Sequence, residues 1–283
     1  MSAPAFETLS EHACFGGVQG FYRHASSSIG LPMRFGLYLP PQAESAPQGV
    51  LVYLAGLTCT EETFAMKAGA QQHAAQHGLA LLTPDTSPRE TGVEGADANW
   101  DLGHGAGFYI DATQAPWARH WRMESYLTQE LLPLVAQHFP VRADRVGIFG
   151  HSMGGHGALT LALRHPTLFK SVSALAPIAA PTQCPWGEKA FSAYLGEDRQ
   201  EWARHDATEL VKAGARVPPI LIDQGLGDKF LAEQLHPHLF EVACQAGGQA
   251  LTLRRHEAYD HGYYFISSVV ADHIAHHART LQA

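Results

Sequence analysis

Val146-Gly147-Ile148-Phe149-Gly150-His151-Ser152-Met153-Gly154-Gly155 is the stretch whose reading decides the fold. Residues 146–149 are apolar or small and of strand length, they run into Gly-x-Ser-x-Gly, and residues 157–163 read as a helix closed by His165-Pro166. Strand, sharp turn and helix in that order describe a nucleophile elbow, where a serine is held on a strained turn at the carboxyl end of a central strand. The flanking glycines fit, because a Cβ there would strike the neighbouring strand or helix. An ordinary glycine-serine turn gives the same string. The apolar run before it and the helical run after it favour the elbow, and predict Ser152 as a nucleophile with an exposed Oγ.

On either side of this stretch the pattern repeats. Strands are expected at 34–39, 50–55 and 79–83 before it and at 172–176, 220–224 and 251–255 after it, with helices at 63–77, 123–138, 231–244 and 262–279. Alternating strands and helices place the chain in the α/β class, with a mostly parallel sheet covered by helices on both faces and catalytic groups at the carboxyl ends of its strands. The Pro- and Ala-rich run 40–47 reads as a loop between strands and no linker divides the chain, so residues 1–283, 46% hydrophobic, are expected to form a single domain. Residues 84–117 are a long glycine- and aspartate-rich passage whose Trp100, Phe108, Tyr109 and Trp117 predict an ordered loop lying over a site.

Composition removes several classes of function. A formal charge of −8 with no basic stripe argues against nucleic-acid binding. No run approaches the roughly 20 apolar residues of a membrane span, and residues 1–17 hold Glu7 and Glu11 without the pattern of a secretory signal. Cys14, Cys59, Cys184 and Cys244 are too scattered for a zinc site or a disulfide framework, which predicts a reduced, cytoplasmic protein. The chain has 18 histidines, but His273, His276 and His277 lack a metal-binding arrangement and read as surface residues. No metal or cofactor is expected.

A serine nucleophile needs a base, and the base needs a carboxylate to hold its tautomer. In this architecture the order along the chain is Ser, then Asp or Glu, then His. Asp228, in Gly225-Leu226-Gly227-Asp228 after the 220–224 strand, fits the acid; Asp223 competes with it but lies inside the strand, where it would cap or pair structurally. His261, in Tyr259-Asp260-His261-Gly262 before the last helix, fits the base, with His256 near the same strand end. The oxyanion of a tetrahedral intermediate would be met by the backbone N–H of Met153, after the nucleophile, and by that of Leu57 in Ala55-Gly56-Leu57-Thr58.

With these residues placed, the chain resembles the S-formylglutathione hydrolases of the esterase D family. The resemblance rests on Gly56-Leu57-Thr58-Cys59-Thr60, Lys67-Ala68-Gly69-Ala70, the 105–113 stretch from Gly105 to Thr113, the 150–158 stretch around Ser152, Cys184-Pro185-Trp186-Gly187, Ile222-Asp223-Gln224-Gly225 and the 259–265 stretch from Tyr259 to Phe265. It implies an α/β-hydrolase fold, no metal, a homodimer, and hydrolysis of S-formylglutathione to glutathione and formate in formaldehyde detoxification, with side activity on short-chain esters. It also carries the triad onto Ser152, Asp228 and His261. Leu102 and His104 depart from the residues more usual in the family, Phe and Thr. Trp100 and Trp186 are expected as walls of a shallow acyl pocket, and Cys59 as a neighbour of the nucleophile outside the triad.

Overall fold

The computed structural model describes residues 5–282; the first four residues of the 1–17 opening, and Ala283 of the expected 1–283 domain, lie outside the described residues. From the amino end, β1 (Glu7–Cys14) and β2 (Gly17–Ala25) form a hairpin through Phe15 and Gly16, both at positive φ. Neither strand is among the sequence expectations. No residue of β1 is buried, so it carries no alternation to read. β3 (Pro32–Leu39) and β4 (Gln48–Leu54) follow, joined by the expected proline-rich loop.

The helix expected at 63–77 is two: α1 (Glu61–Lys67) and α2 (Ala70–His77), broken where Gly69 takes φ 66°. A lone glycine is tolerated within a helical pattern, and the periodicity across it hid the turn. After β5 (Leu79–Pro84) and the long passage come α3 (Met123–Ser125) and α4 (Leu132–His138), continuous through one wide π-type turn at Tyr126–Leu131. Pro133, with no N–H and a ring that crowds the preceding turn, accounts for the widening.

β6 (Val141–His151) and α5 (Met153–Arg164) flank Ser152. β7 (Phe169–Leu175) leads to α6 (Pro185–Leu195), α7 (Arg199–Ala203) and α8 (Ala207–Lys212). β8 (Ile220–Gly225), α9 (Pro237–Gly247), β9 (Leu251–His256) and α10 (Tyr263–Leu281) complete the chain. The expected 231–244 helix is shorter at its start, because His236 at φ 47° and Pro237 separate α9 from a π-type turn at Leu231–Leu235.

One nine-stranded sheet runs β1-β2-β3-β5-β4-β6-β7-β8-β9. The first three pairings are antiparallel and the five from β5 to β9 parallel, which is the mostly parallel α/β-hydrolase sheet expected. β4 and β7 are buried almost throughout, and β6 from Val146 to His151, as parallel strands covered on both faces must be. α2 and α10 pack on one face, α5 and α8 on the other.

The surface reading of the C-terminal histidines is corrected. His273 and His277 are fully buried on the sheet side of α10, and His276 is partly buried. Ser171 Oγ lies 2.6 Å from His277 Nδ1, Ser173 Oγ lies 2.8 Å from His277 Nε2 and 2.7 Å from His273 Nδ1, and Asp223 receives His273 Nε2 at 3.0 Å. Polar residue type suggested exposure. These rings are buried because each nitrogen meets a partner, which removes the cost of desolvating it.

Candidate active site

Ser152 sits at the junction of β6 and α5 with φ 58° and ψ −118°, a conformation that costs a non-glycine residue on the order of 1–3 kcal/mol. Its own backbone pins it there. Ser152 N donates to Leu175 O at 3.0 Å, and Ser152 O accepts from His156 N at 3.0 Å and Ile178 N at 3.2 Å. A Cβ on Gly150 or Gly154 would collide with backbone, Gly154 striking the carbonyl of Leu54 in β4, so the tight turn requires both glycines.

The acid and base candidates come from the next two strand ends. Asp228 lies beyond β8, and its Oδ1 accepts from Phe230 N at 2.8 Å; His261 lies beyond β9 at the head of α10. His261 Nδ1 is 2.5 Å from Asp228 Oδ2, with the carboxylate wholly buried and the ring 17% exposed. Two backbone bonds fasten the loops to each other, Leu226 N to His256 O and Gly227 N to Tyr259 O, both 2.9 Å. Gly225 is required here, since a Cβ would strike the carbonyls of Tyr259 and Asp260. Asp223 and His256 form a separate group, 3.0 Å apart, with Arg254 also on Asp223. Among the described residues Ser152 Oγ makes no hydrogen bond, but Ser152 and His261 line one cavity.

The turn after β4 lies against the elbow: a Cβ on Gly56 would come within 3.2 Å of Ser152 Cβ. Met153 is the first residue of α5, so its N–H has no intrahelical acceptor, and among the described residues neither it nor the Leu57 N–H has a protein partner. The 84–117 passage is the buttress of that turn. Thr58 N donates to Gly105 O at 2.9 Å, Tyr109 OH donates to Ala55 O at 2.9 Å, and Phe108 and Tyr109 are buried at positive φ.

The cavity holds about 170 Å³ and is lined by Gly56, Leu57, Cys59, Trp100, His151, Ser152, Trp186, Phe230, His261 and Tyr263. Trp186 is 7% exposed and meets the 55% exposed Trp100 edge-on, with ring centroids 5.6 Å apart. Burial pushes the Cys59 thiol up, so it is protonated at neutral pH.

Three lining residues were missed by sequence reasoning: His151, Phe230 and Tyr263. His151 and Phe230 clamp the His261 ring, with centroids 4.4 Å and 5.0 Å away. Burial holds His151 neutral well below the usual histidine range, and its Nε2 has no hydrogen-bond partner among the described residues. The available signal was position: His151 precedes the nucleophile, Phe230 follows Asp228 by two residues, and Tyr263 follows His261 by two.

Larger hollows exist elsewhere. One of about 580 Å³ opens near Pro218, Pro219 and Ile220, at the amino ends of the parallel strands and away from Ser152. Another, about 430 Å³, lies beside Arg34, Glu61 and Asp85. Ser171 lines the first, but it is buried with its Oγ on the fully buried His277, at the opposite end of the strands from the elbow.

Residues 26–276 match the Esterase family. The chain is 51% identical over 282 residues to an S-formylglutathione hydrolase of Mus musculus, covering 99% of this chain and all of the relative. It is 52% identical over 277 residues to an S-formylglutathione hydrolase of Paracoccus denitrificans (strain Pd 1222), covering 98% and 99%. Among solved structures it is similar to an S-formylglutathione hydrolase from Agrobacterium tumefaciens, with a TM-score of 0.95 and 49% identity over 97% of this chain and 99% of that one.

Proposed function

The chain belongs to the S-formylglutathione hydrolases of the Esterase family, and from that premise we infer how its own residues carry the hydrolysis of S-formylglutathione to glutathione and formate. Ser152 Oγ attacks the formyl carbonyl carbon while His261 Nε2 takes its proton. Asp228, on the other ring nitrogen, fixes the tautomer and stabilises the imidazolium. The carbonyl oxygen gains its negative charge between the N–H groups of Leu57 and Met153, each worth roughly 3–4 kcal/mol in comparable sites. Collapse breaks the C–S bond, and the glutathione thiolate leaves and is protonated. Water, losing a proton to His261, attacks the formyl ester, and formate departs as Ser152 Oγ regains its proton.

The observation that carries this assignment is the His261–Asp228 pair in the cavity that Ser152 also lines. The Ser–His contact is made as substrate enters, since such bonds are often long before that. Short-chain esters react at the same serine as a side activity. The test is thioester absorbance loss with S-formylglutathione, where Ser152→Ala is expected to lose roughly 10⁴-fold or more in kcat with its fold intact. Wild-type-like turnover in that variant removes Ser152 from the chemistry.

The same reading includes one domain over residues 1–283, a homodimer and a cytoplasmic location. Four free cysteines, two of them buried, suit a reducing compartment. Sedimentation of the purified chain tests the dimer.

A further inference from the structure

Only five lysines occur in this chain of net charge −8, at 67, 170, 189, 212 and 229. Lys189 pairs with Asp101, Lys212 with Glu209, and Lys170 donates to the carbonyl of Thr167. Among the described residues Lys67 and Lys229 have neither a carboxylate nor a hydrogen-bond partner. Each instead stands over an aromatic ring: Lys67 Nζ is 5.7 Å from the Tyr263 centroid and Lys229 Nζ is 4.9 Å from that of Phe230. Those two rings line the Ser152 cavity.

The coincidence has a physical reading. An ammonium over a π face is held near it by the ring quadrupole while its donors remain free. Two unpaired cations are thereby each kept against a ring that lines the cavity, in an otherwise acidic protein. The cavity itself, about 170 Å³ with mostly apolar walls, has room for a small acyl group and little else, so the leaving group must lie across its rim. A glutathionyl thioester carries two carboxylates there and a simple ester carries none.

We infer that Lys67 and Lys229 are specificity-determining residues that receive the γ-glutamyl and glycyl carboxylates of the substrate at the mouth of the cavity. This rests on S-formylglutathione being the substrate. Neither lysine touches the reacting atoms, and the effect lies in binding and in steering an anion toward the site.

The test is steady-state kinetics of wild type, Lys67→Met, Lys229→Met and the double variant on S-formylglutathione, its dimethyl ester and 4-nitrophenyl acetate. Each single variant is expected to raise KM for S-formylglutathione roughly threefold and the double about tenfold, the scale of exposed ion pairs, with kcat largely retained. Methyl esterification should cost the wild type a similar factor and the double variant nothing further. Raising ionic strength should weaken kcat/KM for S-formylglutathione in wild type more than in the double variant. An unchanged KM in the double variant, or an equal loss on 4-nitrophenyl acetate, overturns the inference while leaving the substrate intact. A wild type that cleaves 4-nitrophenyl acetate but not S-formylglutathione overturns the substrate, and this inference with it.

Discussion

His273 Nε2 lies 3.0 Å from Asp223 Oδ2, and neither side chain exposes any surface. Arg254 and His256 complete the shell around that carboxylate, so β8, β9 and α10 are tied at one buried point. Burial alone would push Asp223 up, but the hydrogen bonds from Arg254 and His273 win and hold it far below the usual carboxylate range. Its charge is committed to the scaffold. Asp228, five residues on, directs its carboxylate to His261 instead.

The two aspartates are therefore expected to fail differently. Asp228→Asn should lose several orders of magnitude in kcat, about 10⁴-fold where an analogous acid holds the tautomer, and keep its unfolding midpoint. Asp223→Asn should lose stability, of order 3 kcal/mol, because His273 and Arg254 are left around an uncharged amide. Urea denaturation and turnover, measured together, separate the two. A well-folded Asp223→Asn more impaired in kcat than Asp228→Asn would reverse the assignment.

Glu61 behaves in the opposite sense. It is 3% exposed at the start of α1, and burial, reinforced by the nearby charge of Asp85, pushes its carboxyl up to about 7. A folded-state value raised above the unfolded one means that its stabilising contribution is complete below about pH 4.5 and is lost as pH rises through about 7. Glu61→Gln removes the charge that must be buried. The variant should match wild type near pH 4 and exceed it at pH 8 by on the order of 2 kcal/mol. Denaturation midpoints at the two pH values check this, and a variant less stable than wild type at pH 8 would contradict it.

Much of this was legible beforehand, for reasons particular to each element. β4 carries a continuous apolar run from Val50 to Leu54 and β8 opens on Ile220-Leu221-Ile222, because helices cover both faces of the sheet there, and the elbow announces itself through glycines that backbone contact demands. β1 was illegible because it is open to solvent on both sides. Residues 142–145 of β6 lie outside the core and Arg142, Asp144 and Arg145 are charged, so the strand began later in the sequence reading than in space. Local order along the chain singled out Asp228 and His261 as candidates, and the fold brings the two side chains within 2.5 Å of each other. Local order could not locate the His151 and Phe230 clamp on His261, because neither ring's role is visible until β6, β8 and α10 are brought together.

Cavity size makes a prediction about acyl length. With about 170 Å³ and Trp186 on its wall, the cavity is expected to take formyl and acetyl readily and to be crowded by a hexanoyl chain. Hydrolysis of 4-nitrophenyl esters should fall steeply from acetyl to hexanoyl. Trp186→Ala should flatten that series by admitting the longer chains, at a cost in stability of roughly 3 kcal/mol for a buried aromatic. Hexanoyl outpacing acetyl in wild type would show that the acyl group lies elsewhere.

Cys59 is the remaining group on the cavity wall with chemistry of its own. It lies two residues past Leu57 and lines the space that Ser152 faces, whereas Cys184 and Cys244 are buried and their thiols are pushed up to about 12 by that burial. Burial raises the Cys59 pKa, and among the described residues its sulfur has no hydrogen bond to His261, the proposed base, so it is held as the thiol. Its attack on a reagent should therefore be slow at neutral pH and accelerate as pH climbs above 8 toward its raised ionisation. Once formed, an adduct or a mixed disulfide with glutathione fills the volume that the acyl group needs, and the disulfide is reversed by reductant. Cys59→Ala should retain most hydrolysis and resist thiol reagents that inactivate the wild type. Equal sensitivity of the two proteins would place the responsive thiol elsewhere, and a folded but inactive Cys59→Ala would give the sulfur a part in the reaction that the proposed roles of Ser152, His261 and Asp228 do not supply.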